Sequence, residues 1–118
     1  MPSVVYFNDG IQLPCCANDN ETTAYNYLSS TTSPINLSEG IVDNFINQGG
    51  TQSTFTFKLP ANPIDGQVVK LTFNNAVTTL TISGNGHTIL GTNPSSASVG
   101  SLYSFKFYGK IDSWFRIN

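Results

Sequence analysis

The sequence predicts an all-β protein, a two-sheet antiparallel β-sandwich of jelly-roll type with about eight to ten strands. Three observations carry that expectation. From residue 53 onward apolar and polar side chains alternate, which places every second residue on one face of a sheet. The alternating runs recur at spacings of about ten residues, with Gly, Pro, Asn and Asp between them, the turn chemistry of a many-stranded fold. Eight phenylalanines, mostly in those runs, supply the bulk of a core.

Taken in order, SVVYF, TTAYNYL and IVDNFIN read as the first three strands, joined by exposed links such as SSTTSP and INQGG. IVDNFINQ also fits a short helix behind Ser38, with Ile41, Val42, Phe45 and Ile46 on one side, and the strand is preferred. STFTFKL presents Phe55, Phe57 and Leu59 on one face, and QVVKLTF presents Val69, Leu71 and Phe73. VTTLTIS, LYSFKFY and IDSWFRI follow, the last around Trp114 and Phe115. The connections PANPIDG, Asn74-Asn75 and Gly109-Lys110 suit hairpins and short loops.

A chain of 118 residues is the size of one domain and buries roughly 65% of its unfolded surface. Only 10% of its residues are charged and the net charge is -2, so it has no basic field for nucleic acid. Asn, Ser and Thr make up about a third of the sequence. A surface so poor in charge suits subunits that cover one another's faces. No apolar run approaches a membrane span, and MPSVVYFNDG lacks the pattern of a signal peptide. Synthesis and folding in a cytosol are expected. Cys15 and Cys16 are neighbours, so a bond between them would constrain almost no chain, and two reduced thiols are expected.

The stretch SGNGHTILG places the single histidine, His87, behind Gly84-Asn85-Gly86. A dinucleotide loop needs a third glycine and a following helix. Here the third position is Ile89, and TILGTNPSS cannot open a helix. A hairpin turn with positive φ at the glycines is expected. His87 is expected to be structural, with no catalytic partner within the chain. The acids give no paired-carboxylate signal: Asp9, Asp19, Glu21 and Asp65 sit in turn contexts, and Glu39 and Asp43 would share a face only in a helix. No catalytic residue, metal ligand or cofactor site is assigned, and an enzyme is not expected. Tyr25, Tyr27, Tyr103, Tyr108 and Trp114 combine a ring with a polar group and are the candidates for a ligand platform or a subunit interface.

The segment from Leu59 to the end carries Leu-Pro and a turn, Asp-Gly-Gln, an apolar strand, Val-Thr-Thr-Leu-Thr-Ile, a glycine turn and a closing Trp-Phe-Arg-Ile. This order resembles a β-rich module of tailed-bacteriophage structural proteins, with a looser likeness upstream over SPINLSEGIVDNFINQGGTQSTFTF. The resemblance implies a homotrimer on the virion surface. Without a shaft or coiled coil, the expected role is a capsid decoration (cement) protein that binds the outside of a phage head and stabilises it. The alternative is the receptor- or carbohydrate-binding tip of a head or tail fibre. The expected partners are other copies of the chain, the major capsid protein or another virion protein, and in the alternative a host surface glycan. Residues 1–30 are expected to form an extended arm and first strand, with Val4, Tyr6, Phe7, Ile11 and Leu13 as capsid contacts, and residues 31–118 the sandwich.

Overall fold

The structure, a computed structural model, describes residues 24–118. The SVVYF strand, the contacts Val4, Tyr6, Phe7, Ile11 and Leu13, and Cys15 and Cys16 lie outside the described residues. Among the described residues there are nine strands: β1 (Tyr25–Leu28), β2 (Ile35–Asn36), β3 (Asp43–Ile46), β4 (Gln52–Lys58), β5 (Val68–Phe73), β6 (Val77–Ser83), β7 (Thr88–Leu90), β8 (Leu102–Tyr108) and β9 (Ser113–Arg116). A short 3-10 turn, Gly109–Ile111, joins the last two. IVDNFIN is a strand, and no α-helix occurs among the described residues.

The expected antiparallel jelly roll is not what these strands build. They form a six-stranded sheet, ordered β1-β3-β5-β8-β9-β7, and a three-stranded sheet, ordered β2-β4-β6. Pairing is parallel from β1 to β3 to β5 and from β2 to β4 to β6. The chain therefore visits one sheet, crosses to the other, and returns one strand further along, in the manner of a β-solenoid. Parallel neighbours cannot be joined by a tight hairpin and need a crossover. In this fold the crossover is the intervening strand of the opposite sheet. Successive coils are 18 residues apart at Asn26 and Asn44 but 27 apart at Gln48 and Asn75, so no regular repeat is visible in the sequence.

Among the described strands, antiparallel pairs are β5–β8 and β8–β9, which close the third coil, and an isolated antiparallel bridge joins Val77 to Ala97. Gly109-Lys110 is a hairpin connection, as expected. Asn74-Asn75 and Gly84-Asn85-Gly86 are not hairpin turns, because β5 and β6, and likewise β6 and β7, belong to different sheets. They are corners at which the chain changes sheet.

The core lies between the sheets. Leu28, Ile46 and Phe73 stack in register across β1, β3 and β5, and Phe57 stands beside Ile82 in the facing sheet. Phe57 meets Phe73 edge-on across the interior at 5.8 Å. Trp114, Phe55, Phe57, Phe73 and Phe105 are all fully buried. Side chains of this size contribute roughly 1.5–3 kcal/mol each when enclosed, as do the buried aliphatic residues packed with them, among them Ile46, Leu59, Leu71 and Leu80.

Polar side chains stitch the coils together. Asn26 Nδ2 donates to Asn44 Oδ1 at 3.0 Å, and Asn44 Nδ2 donates to Lys70 O at 3.0 Å. This inward ladder links β1, β3 and β5 at one level. At the corner above it, Gln48 Nε2 donates to Ser30 O at 2.9 Å, while the Gln48 and Asn75 side chains bond to each other.

Candidate functional sites

His87 sits at one end of the solenoid, where three connections converge. The Gly84-Asn85-Gly86-His87 turn has positive φ at Asn85 (55°) and Gly86 (99°), and His87 N donates to Gly84 O at 3.2 Å. Those values describe a type I′ turn, which an Asn-Gly pair favours. Gly84 is required for a different reason: a Cβ there would collide with the carbonyl oxygen of His87. Asn85 Nδ2 donates to Leu59 O at 3.0 Å, tying the turn to the start of the proline-rich link.

His87, expected to be structural and without a catalytic partner, does have partners within the chain. Its Nδ1 faces Asp112 Oδ1 at 3.0 Å and its Nε2 faces Ala61 O at 3.0 Å. The ring also packs edge-on against Phe107, with centroids 5.1 Å apart. Both facing oxygens are acceptors, so a neutral imidazole can donate to only one of them, and a doubly protonated ring to both. A His–carboxylate pair is half of a catalytic triad, whose second ring nitrogen faces a nucleophile. Here a main-chain carbonyl holds that nitrogen. The arrangement is a strut joining the 60–66 link, the 84–87 turn and the 109–112 turn. Asp65 reinforces it by accepting from Gly109 N at 2.8 Å. Among the described residues, no three His, Cys, Asp or Glu side chains gather as metal ligands would.

The five candidate aromatics are not one platform. Trp114 is fully buried and stacks edge-on with Phe107. Tyr103 packs against Phe73, lies under the Arg116 guanidinium, and donates its hydroxyl to Ser96 O. Tyr108 stands edge-on to Phe115, with Lys106 Nζ 5.5 Å from its ring centroid. Tyr25 and Tyr27 are 58% and 56% exposed and occupy successive outward positions of β1.

The two β1 tyrosines open onto a cleft of about 430 Å³ lined also by Asp43, Phe45 and Thr72. Parallel register explains the grouping. Tyr25 is level with Asp43 and then Lys70, and Tyr27 is level with Phe45 and then Thr72. The Tyr27 and Phe45 rings lie 5.8 Å apart, and the Tyr27 hydroxyl accepts from Asn47 Nδ2 at 2.7 Å. Asp43, Phe45 and Thr72 were not among the sequence candidates. Their common outward parity was readable within each strand; their alignment across strands was not.

No protein-family model matches the chain, and no curated protein does. A solved structure of a chaperone-substrate complex contains a chain similar to it, with a TM-score of 0.51 and 15% identity. The match covers 83% of this chain but only 17% of that one. At that identity the likeness concerns the fold.

Proposed function

We propose that the protein is a non-enzymatic structural component of a tailed-phage particle, which decorates the outside of the head as a homotrimer and stabilises it by binding. The observation that carries this reading is the asymmetry of the solenoid. One end is closed twice over: β8, β9 and β7 cover the edge of β5, and the 95–97 segment covers β6 through Leu80 N to Ser95 O and the reciprocal bonds of Val77 and Ala97. Among the described residues, no strand pairs with the outer edges of β1 and β2.

An unpaired parallel edge carries backbone donors and acceptors that a strand of another chain satisfies. Solenoids in general need such ends covered. The surface poor in charge suits a close contact of this kind. A protein that binds the assembled lattice and not its free subunits stabilises that lattice by mass action. The resemblance of residues 59–118 to phage structural modules supplies the setting.

Quantitative mass spectrometry of purified virions, with thermal melting of heads lacking and then resupplied with the protein, tests the proposal. Hundreds of copies per particle and a higher melting temperature on resupply are expected. Absence from the particle, or heads indifferent to resupply, would overturn it. A second reading, the receptor- or carbohydrate-binding tip of a head or tail fibre, is favoured by the aromatic cleft; a few to a few dozen copies per particle would select it.

A further inference from the structure

We propose that the cleft between Tyr25, Tyr27, Asp43, Phe45 and Thr72 is a binding site for a neutral saccharide. The proposal concerns the chain itself and stands whether the protein decorates a head or tips a fibre.

The outward side chains of β1, β3 and β5 form a grid. Positions two apart on a strand are about 6.6 Å apart, and neighbouring strands about 4.8 Å. Tyr25 and Tyr27 form one column and Phe45 stands beside Tyr27, so three rings make an L and Asp43, beside Tyr25, completes the square. A pyranose has the matching amphipathic shape, with C–H bonds on its faces and hydroxyls around its rim. Its face packs on an aromatic ring, while an acceptor-only carboxylate takes hydrogen bonds from neighbouring hydroxyls. The Thr72 hydroxyl, beyond Phe45, both donates and accepts. The cleft is open, with a volume of about 430 Å³, and suits a sugar that lies across the exposed rings rather than one enclosed by the protein.

Charge decides between a sugar and an ion. Three rings with a carboxylate could also cage a quaternary ammonium group. Lys70 stands level with Asp43 on the adjacent strand, outside the cleft lining, and its positive charge reduces the pull that the carboxylate alone would exert on a cation. The cleft is also held in shape before any ligand arrives, which lowers the ordering cost of binding. Asn47 holds the Tyr27 hydroxyl from one side, and the Asn26–Asn44–Lys70 ladder locks the three strands beneath the cleft.

Saturation-transfer and two-dimensional NMR of the full chain test the assignment, with a panel of neutral hexose and N-acetylhexosamine oligosaccharides, a sialylated oligosaccharide and choline chloride as probes. At least one neutral oligosaccharide is expected to bind saturably and shift the Tyr25, Tyr27 and Phe45 ring resonances. Tyr25→Ala and Tyr27→Ala should weaken that binding by about tenfold or more, and Asp43→Asn by a smaller factor. Tyr108→Ala should leave it unchanged. Unfolding curves of the variants separate lost binding from lost fold. The proposal is overturned if no neutral member shifts those rings, if choline or the sialylated sugar alone does so, or if binding survives both tyrosine substitutions.

Discussion

Gln48 and Asn75 hold each other across the buried corner between the second and third coils: Gln48 N donates to Asn75 Oδ1 at 2.8 Å, and Asn75 Nδ2 donates to Gln48 Oε1 at 3.2 Å. Both residues are buried, so neither can turn to water if its partner is removed. Asn75→Ala should therefore destabilise the fold by about 1–3 kcal/mol. A double-mutant cycle with Gln48→Ala, read by urea unfolding, should show that the two losses are not additive.

Gly84 tests the corner that carries His87. The Cβ that alanine would add meets main chain rather than the end of a side chain that could move, so Gly84→Ala forces the turn apart. We expect a loss in the diagnostic range above about 4 kcal/mol, seen as a collapsed melting transition or insoluble protein. Gly50, with no atom within 4 Å of its would-be Cβ, is the control; Gly50→Ala should change stability by no more than about 0.5 kcal/mol.

The His87 strut should divide unequally between its contacts. The Asp112 side chain is 75% exposed and that of His87 19%, so the ion-pair partner contributes little and the ring contributes through Phe107 and Ala61. His87→Ala should cost about 1–2 kcal/mol, and Asp112→Asn less than about 1 kcal/mol. Asp112 has a φ of 52°, a conformation glycine adopts without strain. Asp112→Gly should consequently unfold at or near the wild-type denaturant midpoint despite losing the carboxylate.

Trp114 supplies a probe of the interior. As the single tryptophan, fully enclosed, it should emit at short wavelength and resist acrylamide quenching until the molecule unfolds. Trp114→Ala should cost about 3–5 kcal/mol through the cavity it leaves. Saccharides added at the Tyr25–Tyr27 cleft should leave its emission unchanged, because its ring packs in the core against Phe107.

Most individual strands were legible because each is self-describing. STFTFKL buries Phe55, Phe57 and Leu59, and QVVKLTF buries Val69, Leu71 and Phe73, the residues that alternation selects. Corners were harder to read. Asn74-Asn75 has the composition of a hairpin turn, yet Asn75 bonds to the preceding coil and the two flanking strands part into different sheets. The partners of His87 are not legible in the sequence, because Ala61 and Asp112 are 26 and 25 residues away. The aromatic cleft was half legible: Tyr25 and Tyr27 were candidates, while Phe45 looked like core and Asp43 like a solvated acid.

Alternation of side chains is a property of one strand and its solvent, so the amino-acid order alone settled that the described chain is β-structured and which face of most strands is buried. Pairing direction is a relation between strands. A period of two serves parallel and antiparallel neighbours equally, and the short polar connections serve a hairpin or a solenoid corner. Packing made the choice: the Phe57–Phe73 contact between sheets, the Asn26–Asn44 ladder and the Gln48–Asn75 corner are satisfied together only when successive coils lie parallel. The same choice set Tyr25, Tyr27, Asp43 and Phe45 around one cleft.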